Sequence, residues 1–369
     1  MIFKNVSLYG EDFKFSVADV CVNNGVFADD AEGEMIDCDG LMMIPGLVDI
    51  HTHGAIGYEC KNPDVEVLKV LSKFEAEHGV TAFLPTTATQ SIEELKCVAA
   101  TVSESKNLVE GAKIGGMHME GPYFSMKYKG AQNPEYIKNP DAKEFLEIYE
   151  SSDGIVKLIS IAPENEGAEE FVKAVKDKVK ISAGHTDADY ETMVNAIDWG
   201  VTQLTHSFNA MRGLHHRNPG AIGAAIDSDI FCELISDGMH VHPAMVRLFY
   251  KAVGAERLVL ISDSVSSAYL PDGVYESIGV KIYVKNGKAT LEDGTIAGSS
   301  STLYDCFRSA VRFGIPLEDA VRAATYNPAK AVGIENEYGI IKKGRAADFL
   351  LIDRELNLRA VYIDGKKIV

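Results

Sequence analysis

Two histidines one residue apart, His51 and His53, close an apolar run made of Ile44, Pro45, Gly46, Leu47, Val48, Asp49 and Ile50, and Gly54 follows them. Side chains alternate along a strand, so the two imidazoles face the same way. Such a pair at a strand end can grip one metal ion, and the glycine lets the chain turn sharply away. Two strand-end histidines satisfied by ordinary hydrogen bonds would be spelled the same way, so the other histidines must decide.

Of the ten histidines, only His78 falls outside strand-end or loop segments. His118, Met119, Glu120, Gly121 and Pro122 end one apolar run and offer Glu120 as a metal ligand. His185 follows Ser182, Ala183 and Gly184, and His206 follows Leu204 and Thr205, each a single imidazole at an equivalent height. A carboxylate with two histidines leaves a coordination position open for water, as catalytic zinc sites require.

Asp263 follows the nearly all-apolar run Leu258, Val259, Leu260, Ile261, Ser262. A lone carboxylate buried there is costly, so it needs a partner. A metal-bound water fits, with Asp263 taking its proton and later returning it to the leaving group. The competing reading is a helix N-cap before Ser264.

In Asp237, Gly238, Met239, His240, Val241, His242, Pro243, His240 is nearer the strand end and suits polarising a substrate carbonyl, whereas His242 suits capping the next helix. Asn209, Ala210 and Met211 lead to His215, His216 and Arg217, a cationic loop in an acidic chain. Arginine's planar fork suits phosphate, with a surface salt bridge as the alternative. His78 precedes Gly79 at a helix end, where a cation suits the dipole and no further role is needed.

The elements that must position these groups are eight apolar runs of strand length, at 47–51, 80–85, 114–119, 156–162, 179–183, 203–205, 231–236 and 258–262. Between them, segments such as 64–79, 92–108, 166–178, 190–200 and 243–254 carry apolar residues at helical spacing. The expected fold is α/β, a (β/α)8 TIM-type barrel. A doubly wound sheet gives the same alternation but spreads the strand ends along a crevice, whereas a barrel gathers them around one mouth.

Residues 1–43 and 339–369 read as short strands with turns, and are expected to pair into a small β-sandwich domain formed by both chain termini. Residues 44–338 then make the hydrolase barrel, with a hairpin insertion near 274–296 turning at Asn286 and Gly287.

The chain of 369 residues is 46% hydrophobic, enough for a large core, and carries a net charge of −18. That charge argues against nucleic acid and anionic membranes as partners, so an anionic substrate needs a local cationic pocket. The six cysteines are scattered with no C-x-x-C pair, which fits a reducing compartment, and the start of the chain does not read as a signal peptide. A cytoplasmic protein is expected.

The motifs together resemble the amidohydrolase superfamily, and within it the N-acetylglucosamine-6-phosphate deacetylase family. The likeness spans nearly the whole chain; the run from His206 through Asn209, Ala210 and Met211 to Arg217 is its most particular part. It implies that Glu120, His185 and His206 bind a principal divalent metal, and that His51 and His53, with Asp263, help form a second site. One or two ions per subunit would be held, zinc or iron first, cobalt or manganese otherwise. Asp263 becomes the catalytic acid and base and His240 the group on the acetyl carbonyl. Asn209, Ala210 and Arg217 become phosphate contacts. Gln132, where some relatives carry histidine, can hydrogen-bond a sugar hydroxyl but cannot transfer protons.

The implied reaction is hydrolysis of the acetamide of N-acetyl-D-glucosamine 6-phosphate to D-glucosamine 6-phosphate and acetate, in amino-sugar catabolism and cell-wall sugar recycling. The implied assembly is a homodimer whose neighbouring subunit helps close the phosphate pocket. The alternatives are a deacylase of a related N-acyl amino sugar or another amide, and a non-catalytic scaffold on the same barrel.

Overall fold

A computed structural model of the chain describes residues 1–277 and 280–369. Strand Leu47–Thr52 is buried along its whole length, as expected of a parallel strand covered on both faces. Val48 and Ile50 share a cluster with Cys306, Ala329 and Val332 of the outer helices. By alternation, Asp49 and His51 turn to the opposite face.

That strand pairs in parallel with Val80–Pro85, which pairs with Lys113–Ile114. Met117–Glu120 then opens a six-stranded parallel run through Val156–Ile161, Lys180–Ala183, Gln203–Leu204, Phe231–Leu234 and Leu258–Leu260. Beyond the last strand, Asp263 N donates to His51 O at 2.9 Å and His53 N to Ser264 O at 2.8 Å. The sheet thus curls until its last strand meets its first, with helices in the connections, the arrangement a (β/α)8 barrel requires.

Helix starts follow local chemistry. Asp64 accepts from Glu66 N before Val65–Glu77, and capping boxes on Ser91 and Thr302 open Ile92–Ser105 and Leu303–Phe313.

Some elements are shorter than the sequence suggests. The run 114–119 is not one strand: Lys113–Ile114 serves one neighbour and Met117–Glu120 the other, with Gly116 between them at φ +157°. The expected strand 203–205 stops at Leu204, because His206 at φ +27° leaves the extended region. The helix expected over 166–178 spans only Ala168–Val175, starting after Gly167 at φ +85°.

Both chain ends contribute to one eight-stranded sheet. Its path runs Lys366–Lys367, Leu358–Ile363, Phe349–Ile352, Met42–Pro45, Ile2–Tyr9, Phe15–Asn23, Val26–Ala28, and Met35–Asp37 pairs beside Ile2–Tyr9. In a flat sheet Phe349 and Phe27, four strands apart, would be about 19 Å from each other. Their ring centroids are 5.8 Å apart, so the sheet folds back over a shared core that also holds Phe3 and Tyr362.

The expected insertion near 274–296 is three strands, Gly273–Ser277, Val280–Lys285 and Lys288–Thr290; its residues 278 and 279 lie outside the described ones. Asn286 and Gly287 both adopt positive φ, as a tight primed turn demands. The insertion packs Ile282, Val284 and Ala289 against Val265 and Ala131, beside the barrel mouth. No helix among the described residues is long and apolar enough to cross a membrane.

Candidate active site and metal centre

The strand ends converge. Glu120 ends the strand Met117–Glu120, His51 lies next to the end of Leu47–Thr52, and His53 follows that strand. His185, His206 and Asp263 stand just past their strands with φ of +46°, +27° and +48°. Left-handed backbone is costly for such residues and clusters where structure holds side chains in place for function. Gly54, at φ +149°, is required: a Cβ there would meet Tyr58 O at 2.1 Å.

Two groups of three share Glu120, namely His51, His53, Glu120 and Glu120, His185, His206. Glu120 Oε1 is 3.2 Å from both His185 Nε2 and His206 Nε2, which are 3.1 Å from each other. It is 3.4 Å from His51 Nε2, and Glu120 Oε2 is 3.5 Å from His53 Nε2. His51 and His53 Nε2 atoms are 3.2 Å apart, and Asp263 Oδ1 is 3.5 and 3.3 Å from them.

Around a tetrahedral ion with bonds of about 2.0–2.1 Å, donor atoms are separated by about 3.3 Å. The donors present therefore fit a divalent metal. The electrostatics agree: burial disfavours a charged His51, yet Glu233, Glu120 and Asp263 raise its pKa well above the ordinary value. The surroundings demand positive charge at this spot.

Burial works against ionising Asp263, but a hydrogen bond to His53 and the charges of His51 and His53 outweigh it and hold the carboxyl at about 2. Glu120, equally buried, is held well below its usual range by His185, His206 and His51. Both are carboxylates at neutral pH.

A cavity of about 540 Å³ opens over these groups, and His53, Glu120, His185, His206 and Asp263 reach it. His51 lies beneath, fully buried. His240, Asn209, Ala210 and Gln132 also line the cavity, as do Asp293 and Thr295 from the insertion side.

His240 Nδ1 is 2.7 Å from Asp237 Oδ2. Burial disfavours its charged form, but that hydrogen bond and the Asp237 charge prevail, so its pKa is raised. His242 caps helix Pro243–Val253, its Nδ1 accepting from Ala244 N at 3.1 Å. His78 closes Val65–Glu77 and donates from Nδ1 to Phe74 O at 2.7 Å. Gln132 is engaged at both ends of its amide: Oε1 accepts from Thr89 N at 2.7 Å and Nε2 donates to Glu120 Oε2 at 2.5 Å.

Arg217 is not brought to this cavity within one chain. It is exposed, as are His215 and His216, and its guanidinium lies 2.8 Å from His216 Nε2. The cations that line the cavity are Lys127 and Lys129, neither singled out by the sequence, and Lys127 pairs with Asp187 at 3.0 Å. Asp237 and Glu233 were also missed. Each is an acid in or just beyond an apolar strand, the signal that had drawn attention to Asp263.

The sequence matches the amidohydrolase family over residues 42–368, and the chain belongs to that family. A Bacillus subtilis relative, N-acetylglucosamine-6-phosphate deacetylase, is 36% identical over 321 residues, covering 85% of this chain and 81% of its own. An N-acetylgalactosamine-6-phosphate deacetylase from Escherichia coli O157:H7 is 32% identical over 332 residues, covering 89% and 88%. A mutant Mycobacterium smegmatis N-acetyl-D-glucosamine-6-phosphate deacetylase, solved in complex with N-acetyl-D-glucosamine-6-phosphate, superimposes with a TM-score of 0.93 at 30% identity, covering 100% of this chain and 99% of that one. Within the amidohydrolases, the chain is a member of the N-acetylglucosamine-6-phosphate deacetylase family.

Proposed function

We propose that this chain hydrolyses the acetamide of N-acetyl-D-glucosamine 6-phosphate, releasing acetate and D-glucosamine 6-phosphate in amino-sugar catabolism and cell-wall sugar recycling. The observation that carries the proposal is the shared Glu120 between two histidine pairs, with Asp263 beside it at the floor of one cavity. Glu120, His185 and His206 would hold the principal ion, and His51, His53, Glu120 and Asp263 a second. Zinc or iron suits this imidazole and carboxylate set, as do cobalt and manganese. When bound, a divalent ion supplies Lewis acidity and lowers the pKa of a water to about 7.

Asp263, a carboxylate at neutral pH, accepts the proton of the attacking water. It then delivers that proton to the amine as the carbon–nitrogen bond breaks, so one group serves as base and then acid. His240, whose charged form Asp237 favours, donates from Nε2 to the acetyl oxygen as negative charge builds there. Gln132, besides bracing Glu120, offers its second amide hydrogen to a sugar hydroxyl.

Asn209 and Ala210 contact the phosphate at the cavity wall. Arg217 reaches the phosphate of a neighbouring subunit in a homodimer, which its exposure in the single chain supports. Residues 1–43 and 339–369 form one domain, a small β sandwich made by the folded-over sheet, and 44–338 the catalytic barrel, with strand Met42–Pro45 of that sheet running across the boundary. A cytoplasmic location accords with six free cysteines.

The test is acetate release from the 6-phosphates of N-acetylglucosamine, N-acetylgalactosamine and N-acetylmannosamine, with and without chelator and with metals restored. Chelator-sensitive release from the glucosamine compound is expected. No such release from any of the three overturns the reading.

A further inference from the structure

Glu233 takes no part in the mechanism above, yet it is completely buried in strand Phe231–Leu234 between Cys232 and Leu234. A carboxylate in such surroundings is costly unless it is bonded. Its Oε2 lies 3.0 Å from His51 Nδ1 and also accepts the backbone N–H of His206 at 3.1 Å, while Oε1 has no hydrogen-bond partner among the described residues. One oxygen thus touches a histidine from each group of three that shares Glu120.

In the neutral ring that a bound cation would require, the 3.0 Å contact to this carboxylate oxygen places the His51 hydrogen on Nδ1 and leaves the Nε2 lone pair pointing away from Glu233. That lone pair faces His53 Nε2 at 3.2 Å and Glu120 Oε1 at 3.4 Å. In the other group His185 is fixed in the same sense, with Nδ1 donating to Tyr128 O at 3.0 Å. His53 Nδ1 and His206 Nδ1 have no hydrogen-bond partner among the described residues. One histidine per group is therefore oriented from behind, and His51 alone by a carboxylate, which also makes the ring a stronger donor.

We propose that Glu233 is the positioning residue of the His51, His53 and Glu120 group, which it fixes to bind a second divalent cation, and that its contact with the His206 backbone ties this group to the principal one. The inference rests on the metal-site reading above. It assigns Glu233 no contact with substrate.

The test is zinc titration of the full metal-stripped chain against a competing chelator, reading stoichiometry and the affinity of each equivalent. Wild type is expected to bind two equivalents. In E233L the second equivalent weakens by about 10- to 100-fold while the first stays within a few-fold of wild type. E233Q keeps the shape and an acceptor oxygen but not the charge, and is expected to fall between the two.

H51Q and H51Q/E233L are expected to bind one equivalent with equal affinity, because Glu233 acts through His51. Wild-type affinity for both equivalents in E233L overturns the inference, and so does equal weakening of both. Should E233L not fold, E233Q with an unchanged second equivalent is the overturning result. A wild type that binds one equivalent overturns the inference alone; one that binds none overturns the metal reading with it.

Discussion

Replacing Asp237 by asparagine isolates the charge behind His240. The two side chains are 4% and 5% exposed, and their 2.7 Å contact is the shortest hydrogen bond His240 makes. A hydrogen bond to a charged group contributes about 1.5–3 kcal/mol, and a neutral one about 0.5–1.5 kcal/mol. The charge itself therefore accounts for about 1–1.5 kcal/mol, or roughly one unit of His240 pKa at 1.36 kcal/mol per unit.

The sign follows from the raised His240 value: the ring is protonated below it, and both the donor to the acetyl oxygen and the ion pair's stabilisation are lost as pH climbs through it. In D237N the alkaline limb of kcat/KM should move down by about one pH unit, with a loss of up to about 10-fold on the alkaline side that acidification restores. The Met239 and His240 amides bond Asp237 Oδ1 at 2.8 and 2.9 Å, and the amide oxygen of the substituted side chain can still accept from both, so the loop should keep its shape. The assay is acetate release from about pH 5 to about pH 9, with H240Q as the control that lacks the limb. An unmoved limb, or a uniform loss at every pH, refutes the assignment of His240 as the charged donor.

Three further outcomes are expected. D263N should lose turnover by at least about a hundredfold while retaining most of its metal, read by acetate release and metal content; near-normal activity would remove Asp263 from the mechanism. R217A should raise KM for the phosphosugar roughly 10- to 100-fold with kcat held, and an unchanged preference for phosphorylated over unphosphorylated sugar would end the phosphate role. G54A forces a methyl against Tyr58 O, at 2.1 Å without relaxation, and should cost about 1–3 kcal/mol in denaturant unfolding together with weaker metal binding; unchanged stability would show that the turn tolerates a side chain there.

The barrel was legible because its strands are buried on both faces and read as nearly all-apolar runs, as Leu258 to Ile261 does throughout and Leu47 to Ile50 does around Asp49. What the runs do not encode is where a strand changes partners. The stretch from Ile114 to Met119 reads as one strand because composition does not distinguish a continuous neighbour from two different ones. Gly115 and Gly116 in its middle are the local sign of the break. Likewise the aromatic residues Phe3, Phe27, Phe349 and Tyr362 each mark a buried strand face, but their convergence in one core depends on how the sheet bends.

The site divides along the same line. Glu120, His185, His206, His51 and His53 were legible because each is a ligand-type residue at the end of its own strand, and a barrel brings all strand ends together whatever the sequence distances. Groups that act from behind a ligand have no such address. Glu233 is 182 residues from His51, and Tyr128, whose carbonyl accepts from His185, ends the single 3-10 turn Met126–Tyr128, too short to carry a periodic pattern. Arg217 shows the converse: a cation flanked by histidines reads as an anion site, but spacing does not say whether its loop folds over its own cavity or is offered to a neighbour. Residue type and strand end thus pick out the proposed metal ligands and the proposed acid and base. The partners that set their charge, Asp237 for His240 and Glu233 for His51, emerge only when the barrel closes and carries one wall to another.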